Sequence, residues 1–109
     1  MRLEVVEGLL LTKSRLKYRP LLWRTVGSFA IGPPQRFCGA DIWSALRDSG
    51  DPLADHTSNS RIYSELRNLQ GAELLQEQPK DGPHDKANWF IRIDQPGWDV
   101  ALRLLDETL

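Results

Sequence analysis

Between Ser60 and Asn68 the chain repeats serine, arginine and asparagine so that Ser60, Arg61, Ser64, Arg67 and Asn68 share one side of a helix turning 100° per residue. These side chains bond both to phosphate oxygens and to base edges, whereas ordinary solvated helix faces lean on Glu and Lys. The chemistry they point to is contact with nucleic acid. Ser60, Arg61 and Ser64, near the amino end, suit base edges, and Arg61 has the fork that matches guanine. Asn59, Tyr63, Arg67 and Asn68 suit phosphate or sugar and would set register. A plain surface helix is the competing reading, and Tyr63 has a structural one, its ring on the core edge and its hydroxyl wet.

Charge supplies a second constellation. The formal net charge is −1, which argues against a general phosphate binder, because affinity for a duplex rests on Lys and Arg. The signs are segregated, however. No acid occurs between Gly8 and Ala40, a stretch holding Lys13, Arg15, Lys17, Arg19, Arg24 and Arg36, and acids outnumber bases from Asp41 onward. Lys13, Arg15, Lys17 and Arg19 form a candidate arm along a backbone or a minor groove, with a solvated helix face as the alternative. Lys80 and Lys86 are further candidates, but Asp81 and Asp85 offset them and His84.

Other chemistries find little material. Cys38 is the single cysteine, which excludes an internal disulfide and a cysteine-built zinc site. His56 and His84 stand far apart in polar segments, and there is no glycine-rich phosphate loop. The expectation is a non-enzymatic protein with no metal and no cofactor. No apolar run reaches bilayer length and no signal-peptide pattern opens the chain, so a cytosolic protein without membrane contact is expected.

The elements that must position the polar face follow from periodicity. Leu3 to Leu11 has no clean period and fits a strand or a helical arm. Pro20 opens a helix with Leu22, Val26 and Phe29 inward, ended by Gly32-Pro33-Pro34. After an extended Phe37-Cys38, Asp41 caps or opens a second helix with Ile42, Ala45 and Leu46 inward, closed by Gly50. A long connection leads to the third helix, capped by Thr57 or Ser58, with Ile62, Leu66 and Leu69 buried. Residues 74–78 and 89–93 read as an antiparallel pair, with Trp89, Ile91 and Ile93 alternating against Phe90 and Arg92. A final helix from about Trp98 carries Trp98, Ala101, Leu102, Leu105 and Leu109 on one stripe, with Val100 and Leu104 on another side. Two stripes predict a homodimer whose interface includes Trp98, Val100, Ala101, Leu104 and Leu105.

These elements define an α+β fold: a winged helix-turn-helix of about three core helices, a two-stranded wing and a carboxyl-terminal dimerisation helix. Residues 1–19 are read as an arm, 20–97 as the winged domain and 98–109 as the dimerisation helix. Three segments resemble the PadR-like winged-helix transcription regulators, within the wider set of MarR-like domains. They are Phe37-Cys38-Gly39-Ala40-Asp41-Ile42 with Leu46; Ile62-Tyr63 with Leu66, Leu69 and Leu74-Leu75; and Phe90-Ile91-Arg92-Ile93-Asp94-Gln95-Pro96-Gly97. The chain departs from that family at Glu73, where glycine is usual, and near Asp94, where threonine is usual; Gly71 is an alternative end for the third helix. The resemblance implies a homodimeric repressor on a roughly palindromic double-stranded DNA operator, with the third helix in the major groove. The rival expectation is a winged-helix module that binds protein, because fold does not fix function. A small-molecule effector near Trp23 and Trp98 is compatible with the composition, but aromatic residues of a small domain more often form its core, and no ligand is assigned.

Overall fold

The computed structural model describes residues 1–11 and 17–107. Five helices and two strands follow one another as α1 (Leu3–Leu11), α2 (Arg19–Gly27), α3 (Gly39–Asp48), α4 (Asn59–Gly71), β1 (Leu75–Gln78), β2 (Trp89–Arg92) and α5 (Gln95–Glu107). Short 3-10 turns at Pro33–Gln35 and Pro52–His56 join α2 to α3 and α3 to α4.

The undecided amino-terminal segment is helical, and its Val6 and Leu10 enter the same core as Leu22, Trp23, Ile42, Leu66 and Trp98. The first and last helices therefore pack on the same core as the elements between them. The helix opened by Pro20 ends at Gly27, before Gly32-Pro33-Pro34, where the Ser28 hydroxyl and backbone N–H both bond the Thr25 carbonyl. Phe29 is half-buried and sets its ring edge-on to Phe37, with centroids 5.0 Å apart.

α3 starts two residues earlier than expected. Cys38 occupies the cap position, and Asp41, in the first turn, accepts from the Cys38 backbone N–H at 2.9 Å. That bond satisfies a donor at the chain's entry to the helix. Ile42 and Leu46 are fully buried, and Gly50, at φ 72°, follows the helix in the left-handed conformation that glycine adopts without strain. α4 starts where Ser58 accepts from the Arg61 N–H, and it buries Ile62, Leu66 and Leu69, each contributing about 1.5–3 kcal/mol.

α4 ends in a Schellman motif, with Glu73 N–H on the Gln70 carbonyl at 2.9 Å and Leu74 N–H on the Leu69 carbonyl at 3.0 Å. The left-handed residue in it is Glu73, at φ 59°, while Gly71 is still helical. Asp94 is also left-handed, at φ 62°, and its carboxylate accepts from the Gly97 N–H at 3.0 Å to start α5. α5 thus begins at Gln95, before Trp98. A side chain at position 97 would collide with the Asp94 carboxylate, at 2.3 Å from a Cβ.

β1 and β2 pair antiparallel, Leu75 opposite Arg92 and Gln78 opposite Trp89. The expected alternation in β2 fails, since Phe90, Ile91 and Arg92 are all buried. Its other edge is also paired: Phe37 exchanges both backbone hydrogen bonds with Phe90, at 2.9 and 2.8 Å, and Gly32 N–H reaches the Arg92 carbonyl. Arg92 lies against the Trp98 ring, 4.8 Å from its centroid, and donates to the Phe29 carbonyl and to Gln95.

Candidate nucleic-acid interface

The polar face of α4 separates into groups that are open and groups that are engaged. Asn59, Ser60, Arg61 and Ser64 are exposed on its first two turns. Arg61 donates from Nη1 to the His56 carbonyl at 3.0 Å and lies 5.3 Å from the Tyr18 ring centroid, so its guanidinium is held at the helix entrance. Arg67, one turn further, makes two hydrogen bonds to the Glu77 carboxylate on β1, at 2.9 and 3.3 Å, and a third to Gln70. That pair holds Glu77 below its usual carboxylate range, chiefly through the Arg67 hydrogen bond.

Three expected contacts need correction. Asn68 is half-buried and donates from Nδ2 to Glu65 at 2.8 Å, so it faces inward and not toward phosphate. The Tyr63 ring packs beside Gly39, and it is the hydroxyl that is shut from solvent, with no hydrogen-bond partner among the described residues. Arg19 is not part of a basic arm: it is 2 % exposed and its guanidinium faces Glu65. Lys17 is exposed beside it, and Lys13 and Arg15 lie outside the described residues.

Glu65 is the residue the helix pattern overlooked. It accepts from Arg19 Nε and Nη2, both at 2.7 Å, from Trp23 Nε1 at 2.7 Å and from Asn68 Nδ2 at 2.8 Å. Arg19 Nη1 extends the network to the Leu9 carbonyl of α1. The signal for it was angular: position 65 falls about 40° from Leu69, between it and Arg61, so an acid there stands at the border of the apolar side. Because Glu65 is the sole acid of α4 and is withdrawn into the core, the helix presents no carboxylate of its own outward.

The loop between the strands is braced from within. Asp85 accepts from Asp81 N–H at 2.9 Å, Ala87 N–H at 3.0 Å and Trp89 Nε1 at 2.7 Å. These bonds, led by the Asp81 amide, lower its pKa to about 2. Arg36 pairs with Asp81 at 2.6 Å and lies 4.0 Å from the Trp89 ring centroid. Lys80 donates to the Ala87 carbonyl at 2.6 Å, while Lys86 is exposed.

On α5, Trp98, Ala101 and Leu105 are fully buried in the protomer's own core, as is Trp23. They are corrected from interface to core residues; Val100 and Leu104 remain half-buried. Among the described residues no group of His, Cys, Asp and Glu is arranged to hold a metal ion, and no helix is long and apolar enough to cross a membrane.

Comparison with protein-family models, with curated proteins and with solved structures finds no match to this chain. The architecture defines the class: an α+β protein with five helices and a two-stranded antiparallel sheet among its described residues, an arrangement compatible with a winged helix.

Proposed function

We propose that the chain is a winged helix-turn-helix domain that binds double-stranded DNA through α4 and acts as a homodimeric transcription regulator of repressor type. One observation carries the reading. The outer face of α4 offers Asn59, Ser60, Arg61 and Ser64 to solvent, and the helix's one carboxylate is buried against Arg19. A helix so stripped of outward negative charge suits the major groove, where Arg and Ser reach base edges and Asn59 a phosphate. The loop of the hairpin would add Lys86. On α5 the half-buried Val100 and Leu104, the latter packed in part on the core, would meet a second copy.

A second reading has its own support. Two of the guanidiniums nearest the hairpin, Arg36 and Arg67, are paired with Asp81 and Glu77, which suits a surface that docks protein. A salt titration of binding to random duplex DNA separates the two. A steep loss of affinity with rising salt is the result expected of a phosphate-binding surface. Absence of binding at low salt supports the protein-docking reading.

A further inference from the structure

An open cleft of about 280 Å³ lies where the start of α3, the start of α4 and the loop before β2 converge. Its walls include Gly39, Ala40, Asn59, Tyr63, Lys86 and Asn88. Pockets that enclose organic ligands run from roughly 300 to 1,000 Å³ and are mostly apolar. Here Tyr63 is the one large ring, Cys38, Ala40 and Ala87 add small apolar surface, and the polar groups are Lys86, Asn59 and Asn88.

Lys86 contributes an ammonium, and Asn59 and Asn88 contribute amides; none of the three side chains has a hydrogen-bond partner among the described residues. The backbone N–H groups of Gly39 and Ala40 belong to the first turn of α3, where no carbonyl of the helix lies behind them. The Tyr63 hydroxyl is buried without a partner, and burial raises its pKa, so it stays a neutral O–H donor. The two carboxylates closest in sequence are each already bonded at the rim of the cleft: Asp41 accepts from the N–H and thiol of the wall residue Cys38, and Asp85 from the N–H of the wall residue Ala87, from the Asp81 N–H and from Trp89 Nε1. Donors from three elements therefore line one cleft that has no carboxylate in its wall.

We propose that this cleft seats a single phosphate group, held by Lys86, the two asparagine amides and the open amides of α3. A tetrahedral oxyanion accepts from several directions at once, which is what donors on three sides of a small cleft supply. The phosphate has two sources with the same chemistry, a duplex backbone lying across the starts of α3 and α4, or a free phosphate or phosphomonoester. The site does not depend on base reading by α4, and it survives if the chain binds no duplex.

The test uses the full chain, in two arms. In the first, inorganic phosphate is titrated while backbone amide resonances are followed, with sulfate and chloride as controls. In the second, binding to a random duplex is measured across a salt series. A saturable shift at Gly39, Ala40 and Lys86 that weakens roughly tenfold in Lys86→Gln supports a free-phosphate source. No shift with free phosphate, but a salt slope lowered by about 0.9 in Lys86→Gln, supports a backbone phosphate. Asn59→Ala repeats both readouts from another wall of the cleft, and an unchanged amide spectrum elsewhere shows that each variant is folded. No saturable shift together with an unchanged slope overturns the proposal. A wild-type chain that ignores duplex DNA but saturates with phosphate removes the proposed function and leaves the cleft standing.

Discussion

Arg19 and Glu65 face each other in a bidentate ion pair, both bonds at 2.7 Å and both side chains 2 % exposed. The planar guanidinium matches the carboxylate fork, and Trp23 and Asn68 fill the remaining acceptor positions. Through this one carboxylate, α4 is keyed to α2, and through Arg19 to the end of α1.

Removing one partner strands the other in the core. Glu65→Ala is expected to destabilise the fold by about 3–5 kcal/mol, read from the urea midpoint. Combining Arg19→Met with Glu65→Leu should recover much of that loss, because no unpaired charge remains, although Trp23 Nε1 still lacks an acceptor. A single variant that costs under about 1 kcal/mol, the range of an exposed pair, would contradict the burial of this one.

Arg61→Ala is expected to weaken binding to a preferred duplex by about 1–3 kcal/mol and to relax sequence preference at one position. The measurement is a binding-site selection followed by titration. Unchanged affinity and preference remove Arg61 from base readout.

Glu73 adopts φ 59° at the end of α4, a conformation that costs a residue with a Cβ about 1–2 kcal/mol. Glycine relieves that strain but has more freedom to lose on folding, about 0.5–1 kcal/mol. Glu73→Gly should therefore stabilise the protein by roughly 0.5–1 kcal/mol, and Glu73→Asn should stabilise it as well, since asparagine tolerates this region. Thermal unfolding of both variants is the check, and a lowered Tm in both would refute the strain argument.

Asp85 titrates at about 2 in the fold, below the ordinary aspartate value of 3.8, because two amides and the Trp89 indole bond its charged form. A depressed carboxylate pKa gives stability that is present above the unfolded value and is lost as pH falls through the folded one. The hairpin loop should loosen between about pH 4 and pH 2. Trp89 fluorescence reports it, and Asp85→Asn should remove the acid transition by loosening the loop at neutral pH.

Leu104→Glu should shift a homodimer toward monomer in analytical ultracentrifugation. If the wild-type chain already sediments as a monomer, α5 has no such role.

The order of elements was legible because periodicity reports which side of a helix is buried. Ile62, Leu66 and Leu69, and Ile42 with Leu46, lie inward as their spacing requires. What periodicity conceals is polar burial. Glu65 and Arg19 read as surface residues by type, and their burial depends on each other across 46 positions. The burial of Trp98, Ala101 and Leu105 was hidden for a similar reason, since a stripe of apolar residues does not state whether its own chain or a second copy covers it. The left-handed turn at Glu73 was not legible either, because a glutamate's type argues against that conformation.

The pairing of Phe37 with Phe90 also bears on how the chain behaves when crowded. β2 carries β1 along one edge and Phe37 along part of the other, so it offers a second molecule little open backbone. The edge left on β1 is four residues long and reads Leu-Gln-Glu-Gln, a template too brief and too polar to recruit another strand. Concentrated samples should therefore resist strand-templated fibril growth, and the small sheet acts as its own guard against aggregation.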